Sequence, residues 1–140
     1  MSLFQIFNVA ASGMSAQSVR LNTTASNLAN AESVSSSADQ TYRARRPVFA
    51  AQLDAAISGD ETAPRGVDVA GIVESKAPLV REYNPNHPMA DKDGFIYKPN
   101  VNVVEEMADM ISASRSYQTN VQIADTAKNM LMQTLKLGKG

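Results

Sequence analysis

The chain has 140 residues, a formal net charge of -1, 44% hydrophobic residues, only 6% aromatic residues and no tryptophan. That is one domain's worth of protein, with a core that must rest on Ala, Val, Leu, Ile and Met rather than large rings. Near-neutral charge gives no electrostatic ground for nucleic-acid or anionic-membrane binding, and the lack of cysteine excludes disulfides, thiolate metal sites and a cysteine nucleophile.

The first third reads as a helix. Leu3, Phe7, Ala10, Met14, Gln17, Leu21, Thr24, Leu28 and Ala31 alternate in steps of four and three, which puts them on one stripe. Gln17 and Thr24 are polar, Ala10 is small, and Gly13 costs roughly 1 kcal/mol against alanine in a helix interior. Such a helix is marginal alone and needs a partner surface. Its opening residues are not expected to act as a cleavable secretory signal, because no Lys or Arg precedes Arg20 and polar Gln5 and Asn8 interrupt the apolar residues. No apolar run approaches the ~20 residues of a membrane span, so direct membrane insertion is not expected.

Ser33 to Asp39 is a polar loop without periodicity. Tyr42–Arg45 and Val48–Leu53 carry short strand patterns, and Pro47 between them signals an edge or a bulge. Ile57 to Gly66 reads as a loop. Gly66–Ala70, continuing through Ile72-Val73-Glu74, has the clearest strand alternation, and Leu79–Tyr83 is another strand. Asn84 to Pro88 is an irregular turn, and Asp93-Gly94 leads from a turn into the strand Phe95-Ile96-Tyr97.

The last third is helical. Asn102 is placed to cap it, with Glu105 three residues on as in a capping box. One stripe runs Met107, Met110, Ser114, Tyr117, Val121, Ala124, Lys128, Leu131, Leu135, and a second runs Ile123, Ala127, Met130, Thr134, Leu137. Two stripes ask for burial against more than one neighbour. Gly138 is a natural stop.

Length then decides the shape. An unbroken helix from Asn102 to Leu137 spans roughly 50 Å, whereas a compact globule of this chain length is only about 35–40 Å across. The expected class is therefore α+β, with long N- and C-terminal helices packed as a coiled-coil-like pair and a small β-rich middle module. The expected divisions are 1–32, 33–99 and 100–140. Helices that outrun their own core expose apolar surface unless other copies cover it, so assembly follows from geometry.

No enzyme chemistry presents itself. His87 is the single histidine and sits in a Pro-flanked turn with no second His or Cys to complete a metal site. Neither a nucleophile elbow nor a phosphate-binding glycine loop occurs. Asp91–Gly94 resembles a calcium loop, but aligning Gly94 with the loop glycine puts Met89 and Asn100 at positions that require acids. Arg43, Arg45 and Arg46 form a basic cluster that a solvated strand edge or a salt bridge explains better than a phosphate site. No cofactor and no small-molecule substrate is expected.

Several strings resemble one family. Ala25-Ser26-Asn27-Leu28-Ala29-Asn30-Ala31 is similar to the signature near the end of the first helix of flagellar rod and hook axial proteins. Ala113-Ser114-Arg115-Ser116-Tyr117-Gln118-Thr119-Asn120 resembles their C-terminal motif, with Thr119 in place of Ala. Ser12–Asn22, Tyr42–Arg45 followed by Val48-Phe49, His87–Asp91, Gly94–Ile96, Pro99–Asn102 and Glu106-Met107 resemble the proximal-rod members in particular, and the short chain agrees. Glu32-Ser33, where many members have a Thr-rich pair, and the loop 35–39 depart from the pattern.

The resemblance implies a structural subunit of the bacterial flagellar basal body, in the proximal rod that spans the periplasm and transmits torque from rotor to hook. It implies partners, namely other copies and related rod proteins in a helical hetero-polymer and the flagellar type III export apparatus. The expected assembly residues are Leu3, Phe7, Met14, Leu21, Ser26, Asn27, Leu28 and Asn30 on the first helix. On the last they are Met107, Met110, Arg115, Tyr117, Asn120, Val121, Leu131 and Leu135. Of these, Asn27, Asn30, Arg115 and Asn120 are expected to hydrogen-bond across helices. The rival readings are a stand-alone coiled-coil adaptor or chaperone-like binding module, and another rod subunit of the same family.

Overall fold

The computed structural model describes residues 3–52 and 66–138, the side chain of Leu3 excepted. Helix α1 spans Leu3–Asn30. Strands β1 (Arg45–Ala51), β2 (Val67–Glu74), β3 (Val80–Tyr83) and β4 (Phe95–Lys98) follow, and helix α2 spans Val103–Leu137. The strands make two separate antiparallel ribbons, β1 with β2 and β3 with β4. This is the expected α+β class of two long terminal helices and a small middle module.

The strand signals hold with local adjustments. β1 runs through Pro47, and the register with β2 shifts between Val48 and Phe49, one residue on. A proline has no N–H to give a ladder, so it sits beside an irregularity in a ribbon whose strands are both edges. The Tyr42–Ala44 part of the first strand signal is instead extended connector. Leu53 and the loop from Ile57 to Arg65 lie outside the described residues.

In the β3–β4 hairpin, Gly94 has φ +79°, a conformation open to glycine at no steric cost. Asp91 holds that turn, its Oδ1 accepting from the N–H groups of Asp93 and Phe95 at 2.9 and 2.8 Å. Arg81 stacks over Phe95, 3.6 Å from the ring centroid, and Tyr83 meets the same ring edge-on. Lys98 and Glu82 pair across the ribbon at 2.7 Å. The Glu82 hydrogen bond raises the Lys98 pKa, so whatever this pair adds is present at neutral pH and lost only as pH rises through the folded-state value.

Asn102 caps α2 as its position predicted, accepting from Val104 and Glu105 N–H. The reciprocal half of a capping box is absent, because the Glu105 carboxylate is bound to Arg46 at 2.7 Å. α2 ends at Leu137, and Gly138 keeps a right-handed helical conformation (φ -80°) rather than the left-handed one common at helix ends.

The two helices run antiparallel, as two cross-contacts establish. Gly13 of α1 lies against Asn120 of α2, and Arg20 of α1 pairs with Asp109 of α2 at 2.6 Å. At 28 and 35 residues they are roughly 42 and 52 Å long. The β1–β2 ribbon lies along another side of α1. One end is tied where Ser12 Oγ accepts from Val67 N–H at 3.1 Å, the other where Asn27 grips the backbone of Arg45. A helix with a weak stripe is thus held from two sides by its own chain.

Gly13 is needed for close approach. A β-carbon built there would lie 2.7 Å from Asn120 Nδ2 and 3.1 Å from its Cγ. Gly13→Ala should gain about 1 kcal/mol of helix propensity, but in the native background displacement of Asn120 offsets it. In an Asn120→Ala background the full gain should appear in thermal melts. Equal gains in both backgrounds would mean that the helices do not press together there.

Candidate assembly surface

The buried apolar residues are Ala10, Ala16, Ala44, Ile96, Ala113, Ala124 and Ala127 among those described. Six of the seven are alanine, so the helix seam is built from the smallest side chain that still packs. Glu106, Ala113 and Ala127 are buried and Asn120 is half-buried, each seven residues from the next. This is a heptad line; Ala127 belongs to the second stripe expected on α2 and the buried Ala124 to the first, while Glu106, Ala113 and Asn120 lie beside the expected stripes. The reason is the helix separation: where Gly13 meets Asn120, the gap has no room for methionine or tyrosine. Met107, at 53% exposure, and Tyr117 stay outside.

The expected assembly residues therefore divide. Phe7, Met107, Tyr117 and Leu135 are exposed large hydrophobics, Leu135 at 59%. Met14, Leu21, Ser26, Leu28, Asn30, Met110, Asn120, Val121 and Leu131 are half-buried, and Arg115 is exposed. Leu3 opens α1, and its side chain is not among those described.

Asn27, expected to hydrogen-bond across helices, bonds instead to the connector and β1 of its own chain. It is 1% exposed. Its Nδ2 donates to Arg45 O at 2.8 Å, and its Oδ1 accepts from Arg45 N–H at 2.9 Å and from the Tyr42 hydroxyl at 2.8 Å. Both lone pairs of the amide oxygen and one of its N–H donors are thus used within its own chain. Asn30 bonds within its own helix, its Nδ2 donating to Ser26 O one turn back. Ser26 Oγ lies 3.3 Å from the Tyr42 hydroxyl. Of the four polar residues expected to bond across helices, only Asn120 reaches the other helix of its own chain, where it packs against Gly13.

The arginine cluster resolves into internal ties. Arg45 pairs with Glu74 at 3.3 Å and Arg46 with Glu105 at 2.7 Å. Arg43 reaches the carbonyls of Ser75 and Ala77 at 3.4 Å. The Glu105 hydrogen bond raises the Arg46 pKa further above its ordinary value. No group of metal-ligating side chains occurs among the described residues. The His87 Nδ1 accepts from Met89 N–H at 3.1 Å, which is turn work.

Sequence reasoning missed Asn100. Its Oδ1 accepts from Ala44 N–H at 2.8 Å, and its Nδ2 donates to Ala77 O at 2.9 Å, joining three connectors above α2. Its place in Pro99–Asn102 marked the motif, but only tertiary contacts reveal what the amide holds.

Two apolar grooves flank the N-terminal end of α1. One, of about 250 Å³, is lined by Phe4, Phe7, Ala127, Lys128 and Leu131. The other, of about 280 Å³, is lined by Ile6, Thr119, Gln122, Ile123, Thr126, Ala127 and Met130. α2 continues beyond the level of Phe4, and Leu137 near its end is 85% exposed. No helix among the described residues is long and apolar enough to cross a membrane. Exposed apolar side chains line the helices, α2 above all, and others lie on the strands, among them Ile72, Val73, Val80 and Tyr83.

Comparison with known proteins bears on what this surface serves. Residues 7–34 match the family described as flagella basal body rod protein, and residues 92–137 match the flagellar basal body rod FlgEFG protein C-terminal family. The flagellar basal-body rod protein FlgC of Salmonella typhimurium is 50% identical over 139 residues, covering 99% of this chain and 100% of that protein. FlgC of Escherichia coli O157:H7 is 49% identical with the same coverage. FlgC of Borreliella burgdorferi is 36% identical over 152 residues, covering both chains completely.

Proposed function

The chain belongs to the FlgC family of flagellar basal-body rod proteins, and from that premise we propose that it polymerises helically with related rod subunits through its terminal helices. It is a structural subunit of the flagellar basal-body rod. The finer reading is of a proximal-rod segment that crosses the periplasm, carries torque from rotor to hook, and reaches its place through the flagellar type III apparatus. Its action is mechanical, with no catalytic role.

One observation carries the reading. Among the described residues, Ile96 is the single buried aliphatic side chain larger than alanine, while Phe4, Phe7, Met107, Ile111, Ile123, Met130, Met132, Leu135 and Leu137 stand exposed on the helices. Apolar surface of that extent marks an interaction face. Burying a side chain of this size contributes roughly 1.5–3 kcal/mol, so the stabilisation still available lies between subunits. Repetition of a contact between two different faces gives an open helical polymer when the rotation does not close. We assign the outer contacts to Phe7, Met107, Tyr117, Leu131 and Leu135, with Met14, Leu21, Leu28, Met110, Arg115 and Val121 beside them.

Met107→Glu and Leu135→Glu test this assignment. Both side chains are exposed, so each variant should keep the isolated subunit within about 0.5 kcal/mol of native stability. Each should abolish incorporation into rods, scored by subunit content of purified basal bodies from cells lacking the native copy. Normal incorporation of both variants, or a closed dimer of fixed size across concentration in sedimentation, would overturn the reading in favour of a stand-alone coiled-coil module.

A further inference from the structure

The chain has neither cysteine nor tryptophan, which leaves methionine as the side chain that a peroxide oxidises most readily. Four methionines are exposed: Met89 at 42%, Met107 at 53%, Met130 at 53% and Met132 at 51%. Met14 and Met110 are half-buried. The exposed four divide by place. Met107, Met130 and Met132 lie on α2 among other exposed apolar side chains, Met107 four residues before Ile111 and Met132 three before Leu135. Met130 lines the apolar groove with Ile6 and Ile123. Met89 lies in the turn between β3 and β4 and belongs to neither helix.

We propose that Met107, Met130 and Met132 form a peroxide-sensitive site on the unassembled subunit, and that their oxidation bars it from the rod. The oxidant is hydrogen peroxide or another two-electron oxygen donor of that class. A lone pair of the thioether sulfur attacks one peroxide oxygen, an S–O bond forms and the O–O bond breaks. The second oxygen leaves as water with both peroxide protons, so sulfur is oxidised and the peroxide reduced. The product is methionine sulfoxide, which turns a flexible apolar side chain into a polar one. On the free subunit water solvates the new oxygen, so folding is little affected. Under an apolar neighbour that oxygen loses its water, and a buried acceptor without a donor is costly. The same neighbour shields an unoxidised sulfur once it is in place.

The inference rests on the assembly reading, and its test separates the two. Hydrogen peroxide is applied to the purified full-length subunit and to purified basal bodies, and oxygen uptake at each methionine is read by peptide mass spectrometry. In the free subunit the three α2 sulfurs should oxidise faster than Met14 and Met110. In basal bodies they should be protected by roughly tenfold or more, as burial under a neighbour requires. Glutamine imitates the sulfoxide, being unbranched, polar at the same reach and close to methionine in helix propensity. In cells lacking the native copy, the combined Met107→Gln, Met130→Gln and Met132→Gln variant should enter basal bodies at about a tenth of the native level or less, the scale of one unsatisfied buried polar group. Its thermal midpoint as an isolated subunit should match the native one. The corresponding triple leucine variant and Met89→Gln should both be incorporated normally. Undiminished incorporation of the triple glutamine variant, equal loss for the leucine variant or Met89→Gln, a lowered midpoint, or equal oxidation in subunit and basal body would overturn the proposal and leave the rod function standing. Absence of the native chain from basal bodies would overturn the rod reading and the proposal with it.

Discussion

Replacing Asn27 by leucine should cost the subunit about 3 kcal/mol or more, although the two side chains are nearly the same size. The amide is 1% exposed and makes three hydrogen bonds, two to the backbone of Arg45 and one to the Tyr42 hydroxyl. Leucine fills the space but strands the Arg45 N–H and C=O, and each stranded backbone group costs roughly 1–3 kcal/mol. The loss should appear as a lowered urea midpoint with an unchanged slope. Asn22→Leu, exposed on the same helix, should stay within about 0.5 kcal/mol. Tyr42→Phe removes one bond of the three and should cost about 1 kcal/mol. An Asn27→Leu protein as stable as the native one would mean that α1 and β1 are not joined through this amide.

The second large effect should come from Ile96→Ala. Ile96 is 2% exposed and lies in the middle of β4, beside Tyr97, whose backbone bridges to Ser35 in both directions at 3.0 Å. Truncation of a buried isoleucine typically costs 2–5 kcal/mol through lost transfer energy and the cavity left behind. About 3 kcal/mol is expected here. Because domains are marginally stable, that is a large share of what the subunit holds. It should be read first as faster amide exchange at Tyr97 and Ser35, and only then as a lower midpoint. A cost under 1 kcal/mol would show that the middle module relies on its hydrogen-bonded connectors rather than on this side chain.

These effects share a cause. A subunit whose helix seam is alanine has little apolar burial to spare, so single polar anchors and one isoleucine carry disproportionate weight. The same economy leaves large side chains of α1 and α2 exposed. Exposure of Phe4 (69%), Phe7, Met107 and Leu135 is then the consequence of a narrow seam rather than of poor packing.

Much of this was legible in the chain itself. The 3.6-residue periodicities placed both helices. The alternation from Val67 to Glu74 and the Asp93-Gly94 turn placed β2 and β4. Asn102 marked the start of α2, and helix length against globule size required an elongated molecule. Those signals are local, since each depends on the preference of neighbouring residues for one backbone shape. The motifs around Asn27 and Asn120 likewise pointed to the family before any contact was known.

Which face of each helix turns inward was not local. Large apolar residues mark a stripe that wants burial, but they do not say whether its own chain or a neighbour will bury it. Gly13 bears on that, because the close approach it permits leaves no room for a large side chain opposite it, and the seam runs along Glu106, Ala113, Asn120 and Ala127. Asn27, which the family motif placed on the assembly surface, was claimed instead by a backbone eighteen residues away. The sequence alone therefore determined the elements and the elongated plan. Only the tertiary structure separated the residues buried within the subunit from those left exposed on its helices.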